Sequence, residues 1–285
     1  MATPMPAAGL TLFVLAHHDD EVFCAGHLRR ALAGGGRVRL LWATAGGLAP
    51  ARRRLAEGAR VLEVLGLPTS AGVDLRLRDQ HAVEDIAVIV RAVVRLLDDD
   101  RRDQAGPAPD HDRRGLAGPP PDDDRRSKDH ERDAVVYVPA YEGGHPDHDA
   151  VNRAAALAAA ARPGLRVVEL PLYRRGPFGL TVQQPSPAAW TSRARCAAVP
   201  LSDEDLVLRR ALARANSSQL LPSLLPLLAL ARWAGRGRAE PARPLPAHDY
   251  GRPPHPGRLL YEFYTPWRFA RWSAAAARGS TSLPR

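Results

Sequence analysis

The chain alternates short apolar runs with longer segments in which apolar residues recur at helical spacing. The apolar runs have the length and the Val, Leu and Phe content of buried strands, and they fall at residues 10–16, 38–44, 135–138 and 167–172. The helical patterns cover residues 21–33, 52–65, 82–97 and 149–161. This order predicts an α/β fold, in which a Rossmann-like, mainly parallel sheet carries helices on both faces and has its active site at the carboxyl edge of the strands.

Two stretches depart from this alternation. Between about residues 98 and 133 apolar residues almost disappear and prolines cluster among charges of both signs, so we expect a flexible insertion. After residue 176 the chain is rich in proline. A helix is predicted at 201–215 with Ser202 as its N-cap, and an aromatic, basic region occupies about 250–285. We expect a single domain over residues 1–285.

Composition excludes several classes of protein. Cys24 and Cys196 are too few for a disulfide scaffold or for a zinc module of paired C-x-x-C motifs. No run reaches the roughly 18 apolar residues that a membrane span needs, and the first residues lack the basic segment of a signal peptide. We therefore expect a cytoplasmic protein without stable membrane insertion.

The formal net charge of +9 raises the question of a nucleic-acid partner. Lys128 is the only lysine, and the arginines are spread along the whole chain beside abundant Ala, Gly and Pro. This distribution is typical of the residue bias of a GC-rich genome rather than of a surface that follows phosphates. We therefore expect no nucleic-acid partner.

Two clusters of polar residues directly follow two of the predicted strands. His17, Asp19 and Asp20 come after the first strand, and the segment 145–148 comes after the strand at 135–138. Because the carboxyl ends of parallel strands lie along one edge of a sheet, we expect the two clusters to form one site.

The residue types in these clusters fit a catalytic zinc site, which takes three protein ligands and leaves one position for water. His17 and Asp20 lie three residues apart, so one tight turn can direct both at a metal, and His148 supplies the third ligand. Asp19 cannot easily share that metal with its neighbour, which leaves it free to act as the general base. Fe(II) suits the same ligands.

The second cluster supplies the remaining catalytic groups. His145 lies three residues before His148 where a helix begins, with Pro146 in its first turn. His145 can therefore stabilise an oxyanion or protonate a leaving amine. We expect Asp147 to pair with His145, hold its tautomer and raise its pKa. Together these roles predict metal-assisted hydrolysis of an amide.

The two motifs resemble those of the PIG-L (LmbE-like) family of metal-dependent N-deacetylases. That family carries A-H-P-D-D-E after its first strand and H-P-D-H further on, where this chain has AHHDDE at 16–21 and HPDH at 145–148. The resemblance implies zinc as the cofactor. Position by position, it implies the same roles that the spacing indicates, with zinc ligands at His17, Asp20 and His148, the general base at Asp19 and the oxyanion group at His145. It also implies a small-molecule substrate, an amino sugar or glycoconjugate whose N-acetyl amide is hydrolysed.

Further features extend the resemblance over most of the first 220 residues. R-x-x-E before L-G occurs at 54–57, and we expect Arg54 to grip a substrate hydroxyl and Asp79 to bond the sugar. An exposed helical arginine would explain Arg54 equally well. The chain departs from the family pattern where His18 replaces the usual proline and where Asn216 replaces the histidine of a late H-x-S-Q element. We expect His18 to pack beside the metal loop rather than to bind the metal.

Three other functions fit parts of the sequence. A nucleotide-binding protein is disfavoured because the glycines at 34–36 follow a helix instead of opening one. A membrane-surface deacetylase of a lipid-linked glucosamine would build an interfacial helix from the aromatic, basic segment at 261–279 and the apolar stretch that begins at 220. The prolines in these segments favour a packed helix and aromatic wall instead. A non-catalytic binding relative would result if His18 disabled the metal site. The identity of the acceptor and the oligomeric state stay open, and natural-product sugars are among the acceptors considered.

Overall fold

A computed structural model describes residues 9–47, 49–105, 134–177, 179–184, 196–233 and 237–281. Its strands are β1 (Leu10–Leu15), β2 (Arg37–Thr44), β3 (Gly72–Leu77), β4 (Val135–Pro139), β5 (Arg166–Leu170), β6 (Tyr173–Gly176), β7 (Gly179–Val182), β8 (Ala197–Pro200) and β9 (Ala239–Pro244). Its longer helices are α1 (Ala25–Ala33), α2 (Ala51–Val64), α3 (Ile86–Ala105), α4 (Pro146–Ala161), α5 (Asp203–Ala215), α6 (Leu225–Trp233) and α7 (Phe269–Thr281).

Within the described part of the chain, seven strands form one sheet in the order β3-β2-β1-β4-β5-β9-β8. The strands from β3 to β5 in this order are parallel, whereas β9 is antiparallel to β5 and β8 is antiparallel to β9. Phe13 on β1 is paired with Leu40 on β2 and with Tyr137 on β4. The predicted mainly parallel sheet is confirmed, and two antiparallel strands extend it.

The two faces of β1 enter two different hydrophobic cores. Leu12 and Val14 pack with residues of α3, α4 and α7, whereas Phe13 and Leu15 pack with residues of α1, α2 and α5. All of β1 is buried, which is why this strand is a continuous apolar run rather than an alternating one. The prediction of helices on both faces of the sheet is confirmed.

The predicted start of the insertion at residue 98 is wrong, because α3 continues to Ala105. Asp100 near the end of the helix forms an ion pair with Arg37 on β2, at 2.5 Å. Arginine and aspartate side chains three and four residues apart also pair along the helix. Such pairs support a helix without apolar residues. The rest of the predicted insertion, residues 106–133, lies outside the described residues.

The sequence predicted the start of one of the two helices that follow the polar clusters. The predicted helix at 21–33 is divided, because Asp20–Cys24 forms a 3-10 turn before α1 begins. The helix whose apolar pattern covers 149–161 begins at Pro146, which confirms the prediction that Pro146 lies in its first turn. Proline suits the first turn of a helix because it has no N–H group to leave unpaired. Both polar clusters therefore sit at the start of helical structure.

The C-terminal half contains elements that the sequence predicted and others that it did not. The N-cap of α5 is confirmed, since the Ser202 side chain accepts the backbone N–H of Asp205. β8 and β9 were not predicted, because β9 has the sequence AEPARP and proline is rare inside strands. Between α5 and α6, Leu220–Leu224 forms a π-helical turn.

The aromatic C-terminal region packs into the body of the protein. Trp267 and Trp272 are buried in the core that also contains residues of α3 and α4. This burial agrees with a packed aromatic wall rather than with a helix lying on a membrane. Among the helices that the structure describes, none is both long and apolar enough to cross a bilayer.

Candidate active site

The loops that follow β1 and β4 lie side by side because these two strands are neighbours in the sheet. His17, Asp19 and Asp20 belong to the first loop, His145 ends the second, and His148 lies in the first turn of α4. The ring centroid of His17 lies 4.4 Å from that of His145 and 5.3 Å from that of His148. The structure therefore brings the two predicted clusters together at the carboxyl edge of the sheet.

His17, Asp20 and His148, called here the candidate metal group, each offer one donor atom, and these atoms lie within 4.8 Å of one another. Nε2 of His148 lies 3.1 Å from Oδ1 of Asp20, and Nδ1 of His17 lies 3.9 Å from Oδ2 of Asp20. Two ligands of a tetrahedral zinc ion, each about 2.0–2.1 Å from the metal, are roughly 3.4 Å apart. The 3.1 Å separation between His148 and Asp20, the mutual approach of the three donor atoms and the His₂Asp donor set therefore fit zinc.

The Asp20 carboxylate is held by the backbone of its own loop. Its Oδ2 atom accepts the N–H groups of Ala16 and His17 at 2.9 and 3.0 Å, which leaves Oδ1 facing His148. Burial opposes ionisation, but the charge and hydrogen bond of His148, together with His17, hold the pKa of Asp20 well below its usual value. The carboxylate is therefore ionised and oriented, as a metal ligand must be.

The carboxylate of Asp147 lies closer to His17 than to His145, its predicted partner. Oδ2 of Asp147 lies 3.3 Å from Nε2 of His17 and 3.9 Å from Nδ1 of His145. The two carboxylate oxygens also accept the backbone N–H groups of Gln80 and Ala82, at 2.7 and 2.9 Å. Nδ1 of His17 is the ring nitrogen on the side of the candidate metal group. Asp147 contacts the other ring nitrogen, Nε2, and so can orient the ring of this candidate ligand.

Asp79 approaches the same side of His17. Its Oδ1 atom lies 3.4 Å from Nε2 of His17, and its side chain is 24% exposed whereas that of Asp147 is buried. Burial lowers the pKa of His17, but its hydrogen bonds to Asp147, Asp20 and Asp79 outweigh burial and raise that pKa well above the usual value. His17, Asp79, His145 and Asp147 also offer closely spaced donor atoms. Both Asp147 oxygens accept backbone N–H groups, whereas Oδ1 of Asp20 faces His148, so the candidate metal group is the better of the two sets for a metal.

His145 is a neutral ring with one N–H group to offer. It caps α4, because its Nδ1 atom accepts the backbone N–H of Asp147 at 3.2 Å. A neutral imidazole that accepts at Nδ1 carries its proton on Nε2. Burial, with the charges of His17 and His148, lowers the pKa of His145 well below the usual value. The predicted rise in this pKa is therefore wrong, since the expected Asp147 partner faces elsewhere.

Asp19 lies beside the candidate metal group. Its backbone has a φ of +118°, a left-handed conformation that strains a residue with a side chain. Nη2 of Arg54 lies 3.6 Å from Oδ1 of Asp19. Burial raises the pKa of Asp19 to about 8, and the Arg54 guanidinium limits that rise.

Arg54 is a buried residue, so the alternative of an exposed helical arginine is wrong. Its side chain is 1% exposed, and it donates to the carbonyl oxygen of Ala45 and to Oε2 of Glu57, each at 2.9 Å. Glu57 in turn accepts the N–H and hydroxyl groups of Ser218 at 2.8 and 2.7 Å. The R-x-x-E element and the late N-x-S-Q element are thus joined in one hydrogen-bonded wall next to Asp19.

A family model described as GlcNAc-PI de-N-acetylase, PIG-L, matches residues 12–159, which include both motifs. The chain belongs to the PIG-L family.

Solved structures of similar fold support the α/β architecture of this PIG-L protein. It is similar to a deacetylase of the teicoplanin biosynthesis pathway at 18% identity, with a TM-score of 0.53 over 82% of this chain and 97% of that one. A40926 pseudoaglycone deacetylase matches at 19% identity with a TM-score of 0.52 over 82% and 96% of the two chains. N,N'-diacetylchitobiose deacetylase from Pyrococcus horikoshii matches at 16% identity with a TM-score of 0.50 over 90% and 87%. Comparison with curated proteins gives no significant match.

The C-terminal aromatic residues of this PIG-L protein hold the backbone of its site loops, a role that the sequence did not reveal. Three side chains donate to loop carbonyl oxygens: Trp272 to Pro146 at 3.0 Å, Trp267 to Gln80 at 2.6 Å, and Tyr264 to Gly144 at 2.7 Å. The available signal was the clustering of indole and phenol donors in the segment YEFYTPWRFARW. The wall predicted from this region therefore also positions the loops.

Asn216, which stands where the PIG-L pattern has histidine, supports the metal loop from the other side. Its Nδ2 atom donates to Oε1 of Glu21 at 2.5 Å. Oε2 of Glu21 accepts the backbone N–H of Asp19 at 3.1 Å and the indole N–H of Trp42 at 3.3 Å. Asn216 therefore holds the residue that follows the candidate ligand Asp20.

Proposed function

We propose that this PIG-L protein is a metal-dependent N-deacetylase that hydrolyses the N-acetyl, or another N-acyl, amide of an amino sugar or glycoconjugate. The observation that carries the proposal is the buried candidate metal group, with Asp19 next to Asp20 in the same loop and paired with Arg54. Zinc is the proposed ion, and Fe(II) suits the same donors. Held by these three residues, such an ion would polarise a carbonyl group and would lower the pKa of water to about 7.

Asp19 is the proposed general base. Its pKa of about 8 lies close to neutral pH, where a base is both available and able to hold a proton. Asp19 takes one proton from the attacking water and passes it to the leaving nitrogen as the C–N bond breaks, so that the amide and water give an amine and acetic acid, which at neutral pH are ammonium and acetate. Arg54 favours the ionised form of Asp19. We propose this role for Arg54 instead of the expected grip on a substrate hydroxyl, because its guanidinium is already bonded within the protein.

His145 is the proposed oxyanion donor. Its Nδ1 atom is occupied by a backbone N–H, which leaves Nε2–H to point a hydrogen bond at the substrate. A donor that is fixed before the reaction needs no reorganisation when negative charge develops on the carbonyl oxygen. Asp147 is proposed as a positioning residue for His17.

Asp79 is proposed to bind a sugar hydroxyl. It is a partly exposed carboxylate within the site, and a Cβ atom at Gly47 would lie 2.4 Å from its Oδ2 atom. The loop backbone therefore approaches Asp79 closely. The description of the matching family names GlcNAc-PI, and the similar structures are named as deacetylases of teicoplanin biosynthesis, of A40926 pseudoaglycone and of N,N'-diacetylchitobiose. These names support an N-acetylated amino sugar, free or within a natural product.

A lipid-linked glucosamine is a second candidate substrate, favoured by exposed leucines near α6. Leu221 is 76% exposed and Leu225 is 46% exposed. Side chains of this kind can insert into the headgroup region of a bilayer. Co-sedimentation with anionic vesicles at physiological salt tests this candidate, and an absence of binding would leave the water-soluble substrate class. A cytoplasmic location stays a prediction from the sequence.

Acetate release from N-acetylglucosamine conjugates tests the proposed function. We expect chelator-treated protein to be inactive and to recover acetate release when zinc is added. Asp19→Asn should retain its metal and lose about 10²–10⁴-fold in rate, the range typical of a general base. Asp103→Asn, which changes a 70% exposed carboxylate on α3, is the matched control and should behave as wild type. Acetate release without metal, or full turnover by Asp19→Asn, would overturn the proposal.

A further inference from the structure

His18 makes its contacts outside the candidate metal group and is buried between β2, α2 and β3. Its Nε2 atom lies 2.7 Å from Oδ2 of Asp74 on β3. Its ring stacks on Trp42 of β2, with centroids 4.5 Å apart and 24° between the planes. The residue is 1% exposed. The imidazole therefore has a hydrogen-bond partner and a stacking partner on two different strands.

A glycine in α2 provides the space for this ring. A Cβ atom on Gly58 would lie 2.5 Å from Cε1 and 2.6 Å from Nδ1 of His18, a separation that real side chains do not adopt. Glycine is among the least favourable residues for a helix interior. The helix therefore accepts a poor helix former at a point where alanine would collide with His18.

β3 and the turn that follows it contact the metal loop at two places. Asp74 bonds His18, and Asp79 beyond the end of the strand lies 3.4 Å from His17. The other carboxylate oxygen of Asp74 accepts the backbone N–H of Arg76 at 2.8 Å. The Asp74 carboxylate is thus oriented by its own strand before it meets the histidine.

The loop between His17 and Asp20 needs a restraint of this kind. Asp19 has a φ of +118°, and a strained conformation persists only when its surroundings hold it in place. Proline at position 18, the usual residue of the motif, would restrict the backbone through its ring. Histidine has no such restriction, so contacts of its side chain have to supply the restraint.

We propose that His18 is a positioning residue that clamps the metal loop to the sheet and to α2. The clamp consists of His18, Trp42, Gly58 and Asp74, and it replaces with side-chain contacts the backbone restriction that proline supplies in the family motif. The inference rests on the proposed metal site. The departure from the motif is then a different way of holding the ligands, and it does not disable the site.

Zinc affinity, measured by competition with a chromophoric chelator, tests the clamp independently of activity. Asp74→Ala and His18→Phe should each weaken zinc binding about tenfold, as is typical when groups supporting a ligand are removed. The double variant should bind zinc no more weakly than either single variant, because either change breaks the same hydrogen bond. His18→Phe keeps the ring that fills the space over Gly58 and is therefore expected to fold.

A control and a rescue separate this role from a general loss of stability. Glu84→Ala removes the carboxylate 3.2 Å from His81 in another histidine–carboxylate pair, and it should leave zinc affinity unchanged. His18→Pro, unlike His18→Phe, should bind zinc with near the wild-type affinity. In the His18→Pro background, Asp74→Ala should have no effect on zinc affinity, because the clamp is no longer in use.

Gly58→Ala provides a second, independent comparison. In the wild-type background the added methyl group collides with His18, so zinc affinity and melting temperature should both fall. In the His18→Pro background the imidazole no longer occupies that space, so Gly58→Ala should raise the melting temperature because alanine favours the helix.

The outcomes distinguish the clamp from the proposed function. Unchanged zinc affinity in both Asp74→Ala and His18→Phe, or an equal loss from Asp74→Ala in both backgrounds, would overturn the clamp and leave the metal site intact. A folded wild-type protein that binds no zinc would overturn the proposed function and the clamp together.

Discussion

The carboxylate of Asp147 lies 3.3 Å from Nε2 of His17, a residue 130 positions earlier in the chain. Its separation from Nδ1 of His145, the first histidine of its own motif, is longer, at 3.9 Å. Because His17 and His148 come from different loops, this contact joins the first loop to the helix that carries the other histidine ligand. In the proposed mechanism, Asp147 therefore supports the candidate metal group and the neutral ring of His145 faces the substrate.

Asp147→Asn should weaken zinc binding by about 10–100-fold, because a carboxylate behind a ligating histidine fixes the ring and increases its basicity. The backbone N–H of residue 147 that caps onto His145 is retained in this variant. Chelator competition measures the affinity, and Asp103→Asn serves as the control. A loss of kcat with unchanged zinc affinity would place Asp147 functionally at His145 instead.

Arg54→Gln should move the acidic limb of the pH–rate profile upward by about one unit, because an opposite charge nearby lowers the pKa of a carboxyl group. Asp19 must be ionised to accept a proton, so activity should fall more at neutral pH than at alkaline pH. Arg54→Lys keeps the charge and should leave the limb close to its wild-type position. Arg52→Gln, at an exposed position of the same helix, is the control. A uniform loss at every pH would contradict this role.

Asp19→Asn should stabilise the metal-free protein, and the gain should grow with pH. The pKa of Asp19 is raised to about 8 in the folded protein and is about 3.9 in an unfolded chain. The folded state therefore binds the proton more tightly, so wild-type stability declines as pH rises between these two values. The difference in melting temperature between variant and wild type should increase by several degrees from acidic to mildly alkaline pH. A difference that does not depend on pH would show that Asp19 is not buried as a weak acid.

Trp272→Phe should lower the free energy of unfolding by about 1–3 kcal/mol, because the buried carbonyl oxygen of Pro146 loses its donor. The start of α4 carries His148, so kcat should fall as well. Tyr264→Phe removes a hydroxyl from a residue that is 49% exposed, where water can replace it, and should change stability by less than about 0.5 kcal/mol. Urea unfolding of both variants provides the comparison. Equal destabilisation by the two changes would contradict the assigned anchoring.

The features that depend on the local pattern of apolar and polar residues were mostly predicted from the sequence. The buried run LTLFVL identified β1, and polar clusters directly after two strands identified a joint site, because strand ends in a parallel sheet share an edge. The residues of the candidate metal group followed from the same reasoning. The helical end of α3 was missed because its stability comes from ion pairs with other elements, such as Asp100 with Arg37.

The partners of buried side chains were beyond the reach of the sequence. The position of Asp147 depends on backbone N–H groups of the segment after β3, which no spacing within its own motif reveals. Arg54 resembles an exposed helical residue until Glu57 and Ser218 are seen to enclose it. The role of His18 likewise depends on its contacts with Asp74 and Gly58, which belong to separate elements.

Metal content and acetate release, measured together on wild type and on His148→Ala, test the central claim most directly. We expect one zinc or iron ion per chain and metal-dependent acetate release in the wild type. His148→Ala should lose both, since His148 is one of the three proposed ligands. A folded wild-type protein that holds no metal after zinc addition, or a His148→Ala variant that retains full metal content and activity, would contradict the proposed metal site.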